Sequence, residues 1–184
     1  MTLANRITIV RIILTPVFLV FVMMYTQEEQ WYRIAAIITF AVAAVSDALD
    51  GFVARAYNQK TKLGAVLDPL ADKLLINLAF VFLAVNQELA YPIPPWFPII
   101  VLSRDAIIVM GSYLINEYYG PVRVRPRISG KLNTVLQMVT VFAVLLEAYV
   151  APYILYATLV VSVVSFFDYL RDGIRQISSE ETYS

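Results

Sequence analysis

The stretch "SDALDGFVAR", Ser46–Arg55, ends a segment that is otherwise almost entirely apolar. Two of its residues, Asp47 and Asp50, are carboxylates where a hydrophobic helix would still lie inside a membrane or be just leaving it. A carboxylate at the centre of a membrane helix costs about 2.5–3.5 kcal/mol on an insertion scale. A second stretch, "GAVLDPLADK" at Gly64–Lys73, adds two more aspartates after a short polar segment. This cost favours a functional reason for the acids.

The composition limits the chemistry that the chain can perform. Of its 184 residues, 60% are hydrophobic, whereas soluble domains average about 45–50%. The 14 basic residues balance 14 acidic ones, which argues against nucleic-acid binding through bulk positive charge. The chain has no Cys and no His, so disulfides, thiol nucleophiles, imidazole bases and the Cys/His zinc motifs are excluded. Any metal would be a hard, oxygen-preferring cation.

Hydropathy predicts an all-α integral membrane protein. Six apolar segments, each near the ~20 residues that a membrane-spanning helix needs, lie at about 6–26, 31–53, 65–87, 94–118, 130–149 and 151–173. We expect one six-transmembrane-helix bundle over residues 1–175, followed by a polar tail, 176–184, whose "ISSEETYS" we expect to be disordered. Arg11 interrupts the first apolar run, which argues against a secretory signal peptide there.

The charges predict how the bundle is oriented. The turns after the first, third and fifth segments contain no Lys or Arg, and Arg33 is the only basic residue near that side. The opposite helix ends carry Arg6, Arg11, Arg55, Lys60, Lys62, Arg123, Arg125, Arg127, Lys131, Arg171 and Arg175. By the positive-inside rule, both termini face the cytoplasm. A very apolar soluble bundle would not sort its cations in this way.

The spacing of the acids predicts a metal centre. Asp47 and Asp50 lie one turn apart on one helix face, and Asp68 and Asp72 lie one turn apart on the next helix. Four clustered carboxylates repel one another unless a cation joins them. Oxygen ligands without His suit Mg²⁺ or Mn²⁺, and carboxylates from two helices can bridge a metal pair. Glycines at 51 and 64 would let a ligand approach the backbone.

Two other interpretations of the four aspartates are open. One is a set of ordinary salt bridges at helix ends. The other is the ion pathway of a metal-ion or proton transporter, since intramembrane carboxylates also mark such pathways. Against a transporter, all four acids fall toward the predicted cytoplasmic helix ends, and the two halves of the chain show no obvious inverted repeat.

The full pattern is D-x2-D-G-x2-A-R-x8-G-x3-D-x3-D, and it resembles the motif of the CDP-alcohol phosphotransferases without departure. The residues that fill it are Asp47, Asp50, Gly51, Ala54, Arg55, Gly64, Asp68 and Asp72. The similarity extends over nearly the whole chain, including "NRITIVRIILTP" at the start and "SGKLNTVLQM" in the fifth segment. The family consists of membrane enzymes of phospholipid synthesis with six transmembrane helices, usually homodimeric.

The resemblance implies a role for each motif residue. Asp47, Asp50, Asp68 and Asp72 would surround two divalent cations, and Asp72 would also be the general base that deprotonates the acceptor hydroxyl. A second group would bind the cytidine nucleotide and its phosphates, namely Asp47, Gly51, Ala54, Arg55 and Gly64. The implied location is a membrane, expected to be the bacterial cytoplasmic membrane, with the active site facing the cytoplasm.

The resemblance also indicates the substrates. The size of the chain fits the branch that uses CDP-diacylglycerol, and the stretches above look like its glycerol-type members. Phosphatidylglycerophosphate synthases typically have Ser-Arg-Glu where this chain has Ser103-Arg104-Asp105. The shorter acid, with "PRISGKLNT" at Pro126–Thr134, resembles cardiolipin synthases of mitochondrial type, which use phosphatidylglycerol. Glycerol 3-phosphate is the alternative acceptor.

A basic group on the predicted cytoplasmic side suits a phosphate-bearing acceptor of either kind. The candidate acceptor-binding residues are Arg104, Asp105, Arg123, Arg125, Arg127 and Lys131. The three arginines at 123–127 are equally explained as contacts to anionic lipid headgroups. Arg104 and Asp105 have a second interpretation as a structural ion pair inside a helix.

Overall fold

The computed structural model describes residues 3–56, 64–119 and 128–180, and within them the side chains of residues 9–46, 73–115, 117–118 and 128–174. These ranges contain six α-helices and no strand, which confirms the all-α prediction. The helices are α1 (Leu3–Met24), α2 (Gln30–Ala56), α3 (Gly64–Val85), α4 (Trp96–Tyr119), α5 (Ile128–Leu145) and α6 (Ala151–Glu180).

The C-terminal boundary differs from the sequence prediction. Helix α6 continues through Glu180, so the expectation of disorder is wrong for residues 177–180. Ser and Glu are poor candidates for a packed core, but neither prevents a helix from continuing by backbone hydrogen bonding. An apolar pattern can end several residues before the helix that carries it.

Three turns meet at one end of the bundle, which we call the turn end: residues 25–29, 86–95 and 146–150. The opposite end, which we call the motif end, is where α2 ends and α3 begins, and where α4 ends and α5 begins. Helix α1 packs against α2 and α3, while α6 packs against α4 and α5; α3 also contacts α4 and α5, and α2 contacts α5. Helices α1 and α5 therefore both bridge the two helices that carry the aspartates.

Aromatic side chains form much of the core between these helices. Phe40 of α2 packs on Phe18 of α1, with ring centroids 5.3 Å apart, and on Phe142 of α5, at 5.0 Å. Phe80 of α3 meets Phe97 of α4 edge to face, also at 5.0 Å. Such tilted and edge-to-face pairs add about 0.5–1.5 kcal/mol each beyond the area they bury.

The outer surface of the bundle is apolar. Val109 is 69% exposed and Val160 is 61% exposed, and many other large aliphatic side chains share this position. Three described helical segments are long and apolar enough to cross a membrane: Trp96–Ile115, Ile128–Leu145 and Ala151–Ile174. Exposed aromatics cluster at the turn end, namely Trp31, Trp96, Tyr149 and Tyr153, as in the aromatic belts of membrane proteins. This surface is suited to lipid rather than water.

The three turns are joined through one carboxylate, Glu147. Its backbone has a φ of 51°, which costs a non-glycine residue about 1–2 kcal/mol. It takes the position that glycine usually occupies in a Schellman motif, because Ala148 N–H donates to Ala143 O and Glu147 N–H donates to Val144 O, both at 3.0 Å. The contacts of its side chain explain why this position has glutamate and not glycine.

The Glu147 carboxylate gathers donors from the other two turns. Tyr25 Oη donates to Glu147 Oε1 at 2.9 Å, the Ala90 N–H donates to the same oxygen at 3.2 Å, and Arg33 forms an ion pair with Oε2. Arg33 also lies over the Tyr25 ring, 5.9 Å from its centroid. One side chain therefore fixes α1, α2, the α3–α4 connection and the α5–α6 turn relative to one another.

We expect Glu147→Gln to lower the free energy of unfolding by about 2 kcal/mol, because it leaves a half-buried Arg33 without its counter-charge. Thermal unfolding of the purified protein in detergent measures the effect. Glu147→Gly is the matched comparison, since it relieves the backbone strain while removing the same carboxylate. A Glu147→Gln protein that melts at the wild-type temperature would contradict this role.

Candidate active site

The backbone places the four predicted metal ligands on consecutive helices. Positions 47 and 50 lie in the C-terminal half of α2, and positions 68 and 72 lie in the first half of α3. All four are toward the motif end, on two helices that α1 and α5 both contact. The side chains of these aspartates lie outside the described residues. So do the surroundings of Gly51, Ala54, Arg55 and Gly64 in the predicted nucleotide site.

The metal centre accordingly stays a prediction. Among the side chains that the structure describes, no group of three or more carboxylates could hold a metal ion, and the four aspartates are not among them. Their donor chemistry fits the predicted ions, because two pairs of carboxylates and no nitrogen or sulfur donor form the ligand set that Mg²⁺ and Mn²⁺ prefer.

Next to position 72, the structure describes a cluster of charges around a buried carboxylate. Lys73 Nζ donates to Asp105 Oδ2 at 2.8 Å, and Arg104 Nη1 donates to Asp105 Oδ1 at 2.6 Å. Asn77 Nδ2 also approaches Oδ2, at 3.5 Å. Arg104 is 9% exposed and Asp105 is 7% exposed. A single buried carboxylate therefore binds donors from α3 and α4, and two of these donors are cations.

Arg104 is further held by α6. Its Nη2 donates to Ser165 Oγ at 2.6 Å, and its guanidinium lies 5.8 Å from the centroid of the Tyr169 ring. Gly130 of α5 lies against the same ring: a Cβ at this position would stand 2.9 Å from the Tyr169 hydroxyl oxygen. Close approach of α5 to α6 here therefore needs glycine or movement of the tyrosine.

These contacts engage two of the predicted acceptor-binding residues, Arg104 and Asp105, with protein partners. Both Nη atoms of Arg104 have protein partners, and both carboxylate oxygens of Asp105 accept from cations, which is the geometry of the structural ion pair. Lys131 is exposed in the first turn of α5, where it is accessible to an anion. Arg123, Arg125 and Arg127 lie outside the described residues.

A polar ladder between α5 and α6 was not predicted as part of the site. Thr140 and Thr158 share a hydrogen bond of 2.7 Å, and Ser162 Oγ donates to Asn133 Oδ1 at 2.5 Å. Gln137, between them, is fully buried, and neither of its amide atoms has a hydrogen-bond partner among the described residues. The sequence signal was available: Asn133, Gln137 and Thr140 have the spacing i, i+4, i+7 in an otherwise apolar helix.

Comparison with known proteins agrees with the resemblance noted in the sequence. The sequence profile of the CDP-alcohol phosphatidyltransferase family matches residues 1–164. The chain is 32% identical to the probable phosphatidylglycerophosphate synthase of Mycobacterium tuberculosis, over 96% of this chain and 87% of that protein. It is 36% identical to the CDP-diacylglycerol–glycerol-3-phosphate 3-phosphatidyltransferase of Bacillus subtilis, over 79% and 77%.

A third similarity is to a protein with a different named product. The chain is 32% identical to human cardiolipin synthase (CMP-forming), over 77% of this chain and 49% of the human protein. The match to the family profile covers both aspartate-bearing helices and the Lys73–Asp105 cluster. From these findings together, the chain belongs to the CDP-alcohol phosphatidyltransferase family.

Proposed function

We propose that the chain transfers the phosphatidyl group of CDP-diacylglycerol to a glycerol-type alcohol and releases CMP. The observation that carries the proposal is the complete motif, placed on the consecutive helices α2 and α3 of a bundle with a lipid-suited surface. The B. subtilis relative is named for this reaction with glycerol 3-phosphate, and the human relative is named as a CMP-forming cardiolipin synthase.

The proposed reaction needs one base and one leaving group. The acceptor hydroxyl loses its proton to the Asp72 carboxylate, and its oxygen attacks the phosphorus that bears diacylglycerol. The bond from this phosphorus to the bridging oxygen breaks, and CMP leaves with the electron pair. A carboxylate can act as base without any histidine when it lies within hydrogen-bond reach of the hydroxyl.

Asp47, Asp50, Asp68 and Asp72 are the residues that would hold two divalent cations, Mg²⁺ or Mn²⁺. When bound, such ions supply neutralisation of the charge on the pyrophosphate and on the departing CMP. Gly51, Ala54 and Gly64 would leave room for the nucleotide beside the helix backbones, and Arg55 would pair with its phosphates.

We place all six helices across the bacterial cytoplasmic membrane, with both termini and the motif end in the cytoplasm. The distribution of Lys and Arg supports this orientation, and the exposed aromatics at the turn end support an interface there. A cytoplasmic motif end places the cytidine headgroup of CDP-diacylglycerol at the membrane surface and lets the water-soluble product CMP leave into the cytoplasm. We also propose a homodimer, which the family resemblance implies.

For the acceptor, we propose phosphatidylglycerol, which makes the product cardiolipin. Two sequence features support this choice: Asp105, where phosphatidylglycerophosphate synthases typically have glutamate, and the "PRISGKLNT" stretch. Glycerol 3-phosphate is the second candidate, because the M. tuberculosis relative, whose match covers 96% of this chain, is named as a phosphatidylglycerophosphate synthase. Either way the acceptor presents a primary hydroxyl near a phosphate.

The proposal predicts that purified protein with CDP-diacylglycerol and Mg²⁺ or Mn²⁺ releases CMP only when an acceptor is added. Phosphatidylglycerol and glycerol 3-phosphate are supplied in separate reactions, and CMP and the lipid product are measured. We expect cardiolipin with the first and little product with the second. Product from glycerol 3-phosphate alone would reverse the choice of acceptor, and no CMP with either would contradict the proposed function.

A second prediction concerns the base. Asp72→Asn should lower kcat by at least about 100-fold, because the amide cannot accept the hydroxyl proton, while much of the CDP-diacylglycerol binding remains. The matched control is Glu117→Gln, which also replaces a carboxylate by its amide, at an exposed position on α4 near the motif end. Wild-type turnover in Asp72→Asn would exclude this residue as the base.

A further inference from the structure

The Lys73–Asp105–Arg104 cluster is an ionic junction between three helices. Asp105 belongs to α4, Lys73 to α3, and Arg104 is bound to Ser165 of α6. Two cations surround one carboxylate, so the three side chains carry a formal net charge of +1. Arg104 and Asp105 are buried, and Lys73 immediately follows residue 72 in the chain. The chemistry proposed above does not require this arrangement.

We propose that Asp105 is a positioning residue: through its ion pair with Lys73 it fixes the rotation of α3 about its axis, and thereby the placement of the metal-binding positions 68 and 72. This inference rests on the proposed function. It differs from the sequence-based expectation that Asp105 contacts the acceptor, because both of its oxygens are bound to protein cations.

The geometry makes α3 the dependent element. Arg104 and Asp105 are held by side chains of α4 and α6, and the Tyr169 ring under Arg104 lies against Gly130 of α5. Three helices thus form a packed base. Among the described contacts of α3 with it, which include the Phe80–Phe97 ring pair, the ion pair of Lys73 lies next to the motif position 72. One residue corresponds to about 100° of rotation and 1.5 Å of rise in an α-helix, so a contact at 73 constrains the backbone at 72 closely and at 68 one turn earlier.

The ion pairs of Asp105 oppose rotation of α3 relative to α4. Removal of Asp105 leaves two cations without the carboxylate they share. Removal of Lys73 leaves Asp105 paired with Arg104 but breaks the ionic contact to α3. The hydrophobic effect is not directional, whereas charge-assisted hydrogen bonds fix the positions of donor and acceptor. Residues that orient metal ligands from outside the coordination shell commonly change metal affinity or activity by about 10- to 100-fold when replaced.

The same bundle offers a matched control. Arg33 and Glu147 form a comparably shielded ion pair at the turn end, far along the helices from the motif. If the Asp105 junction served stability alone, its loss and the loss of the Glu147 pair would have the same kind of effect. If it positions α3, only its loss should change metal binding.

The experiment compares wild type, Asp105→Asn, Lys73→Met and Glu147→Gln. Mn²⁺ affinity is measured from the electron paramagnetic resonance signal of free Mn²⁺, together with the melting temperature, kcat and the KM for the acceptor. We expect all three variants to melt below wild type. Asp105→Asn and Lys73→Met should weaken Mn²⁺ binding by about 10-fold or more and lower kcat, with an unchanged acceptor KM. Glu147→Gln should keep wild-type Mn²⁺ affinity and kcat.

The double variant tests whether Asp105 acts through Lys73. The two substitutions should not be additive, so that the pair weakens Mn²⁺ binding no more than the worse single change. Lys73→Met keeps Asp105 paired with Arg104, so it remains informative if Asp105→Asn does not fold. Unchanged Mn²⁺ affinity in Lys73→Met would overturn the inference, as would an acceptor KM that rises in Asp105→Asn at constant Mn²⁺ affinity.

Failure of this inference is distinguishable from failure of the proposed function. Wild-type protein that releases CMP, with Asp105→Asn resembling Glu147→Gln, would overturn positioning and leave the reaction in place. Wild-type protein that binds Mn²⁺ but releases no CMP would overturn the reaction. In that second case the Mn²⁺ affinities still decide whether Asp105 positions α3.

Discussion

The requirement that buried charges be paired organises this bundle. Its helices are apolar inside and outside, so a charge in the interior loses water and finds little to replace it. Two described carboxylates meet this requirement: the buried Asp105 lies between Lys73 and Arg104, and the half-buried Glu147 lies between Arg33 and Tyr25. Both are carboxylates that accept from donors on different elements of the bundle, and both therefore join those elements at defined atoms.

The two junctions lie at opposite ends and have different consequences. Glu147 has a strained backbone conformation, and its side chain joins all three turns. Because Glu147 lies far from the motif, we expect it to contribute to the stability of the bundle and not to the chemistry. Asp105 lies beside the helix that carries two of the four motif aspartates, so the same kind of interaction there is close enough to influence chemistry. The polar ladder of α5 and α6 continues inward from Asn133 and leaves Gln137 without a partner among the described residues.

Much of the fold followed from patterns in the sequence. Apolar segments of near-constant length predicted six helices, and the eight-position motif led to the family, because it fixes both residue type and spacing at eight positions. The end of α6 was missed, since hydropathy reports burial and not backbone continuity. Glu147 was missed as well: a left-handed residue that is not glycine has no local sequence signature, and its value depends on Tyr25, Arg33 and Ala90, which are distant in the chain.

Arg104 and Asp105 show a second reason why the role of a residue could not be predicted from the sequence alone. Their residue types suit an anionic acceptor and an internal ion pair equally well, and the sequence cannot separate these uses. The separation comes from partners on other helices, Lys73 on α3 and Ser165 on α6, whose proximity only the tertiary structure supplies. For the four aspartates the reverse holds, since their spacing is informative and their side chains lie outside the described residues.

The proposed reaction depends on one dinuclear metal centre formed by the aspartates at 47, 50, 68 and 72. Electron paramagnetic resonance of the protein saturated with Mn²⁺ tests it most directly, because two Mn²⁺ ions that share bridging carboxylates are magnetically coupled. We expect two bound ions per chain and the broad spectrum of a spin-coupled pair, lost when Asp68 is replaced by Asn. A single bound ion per chain with the six-line spectrum of isolated Mn²⁺ would contradict the claim.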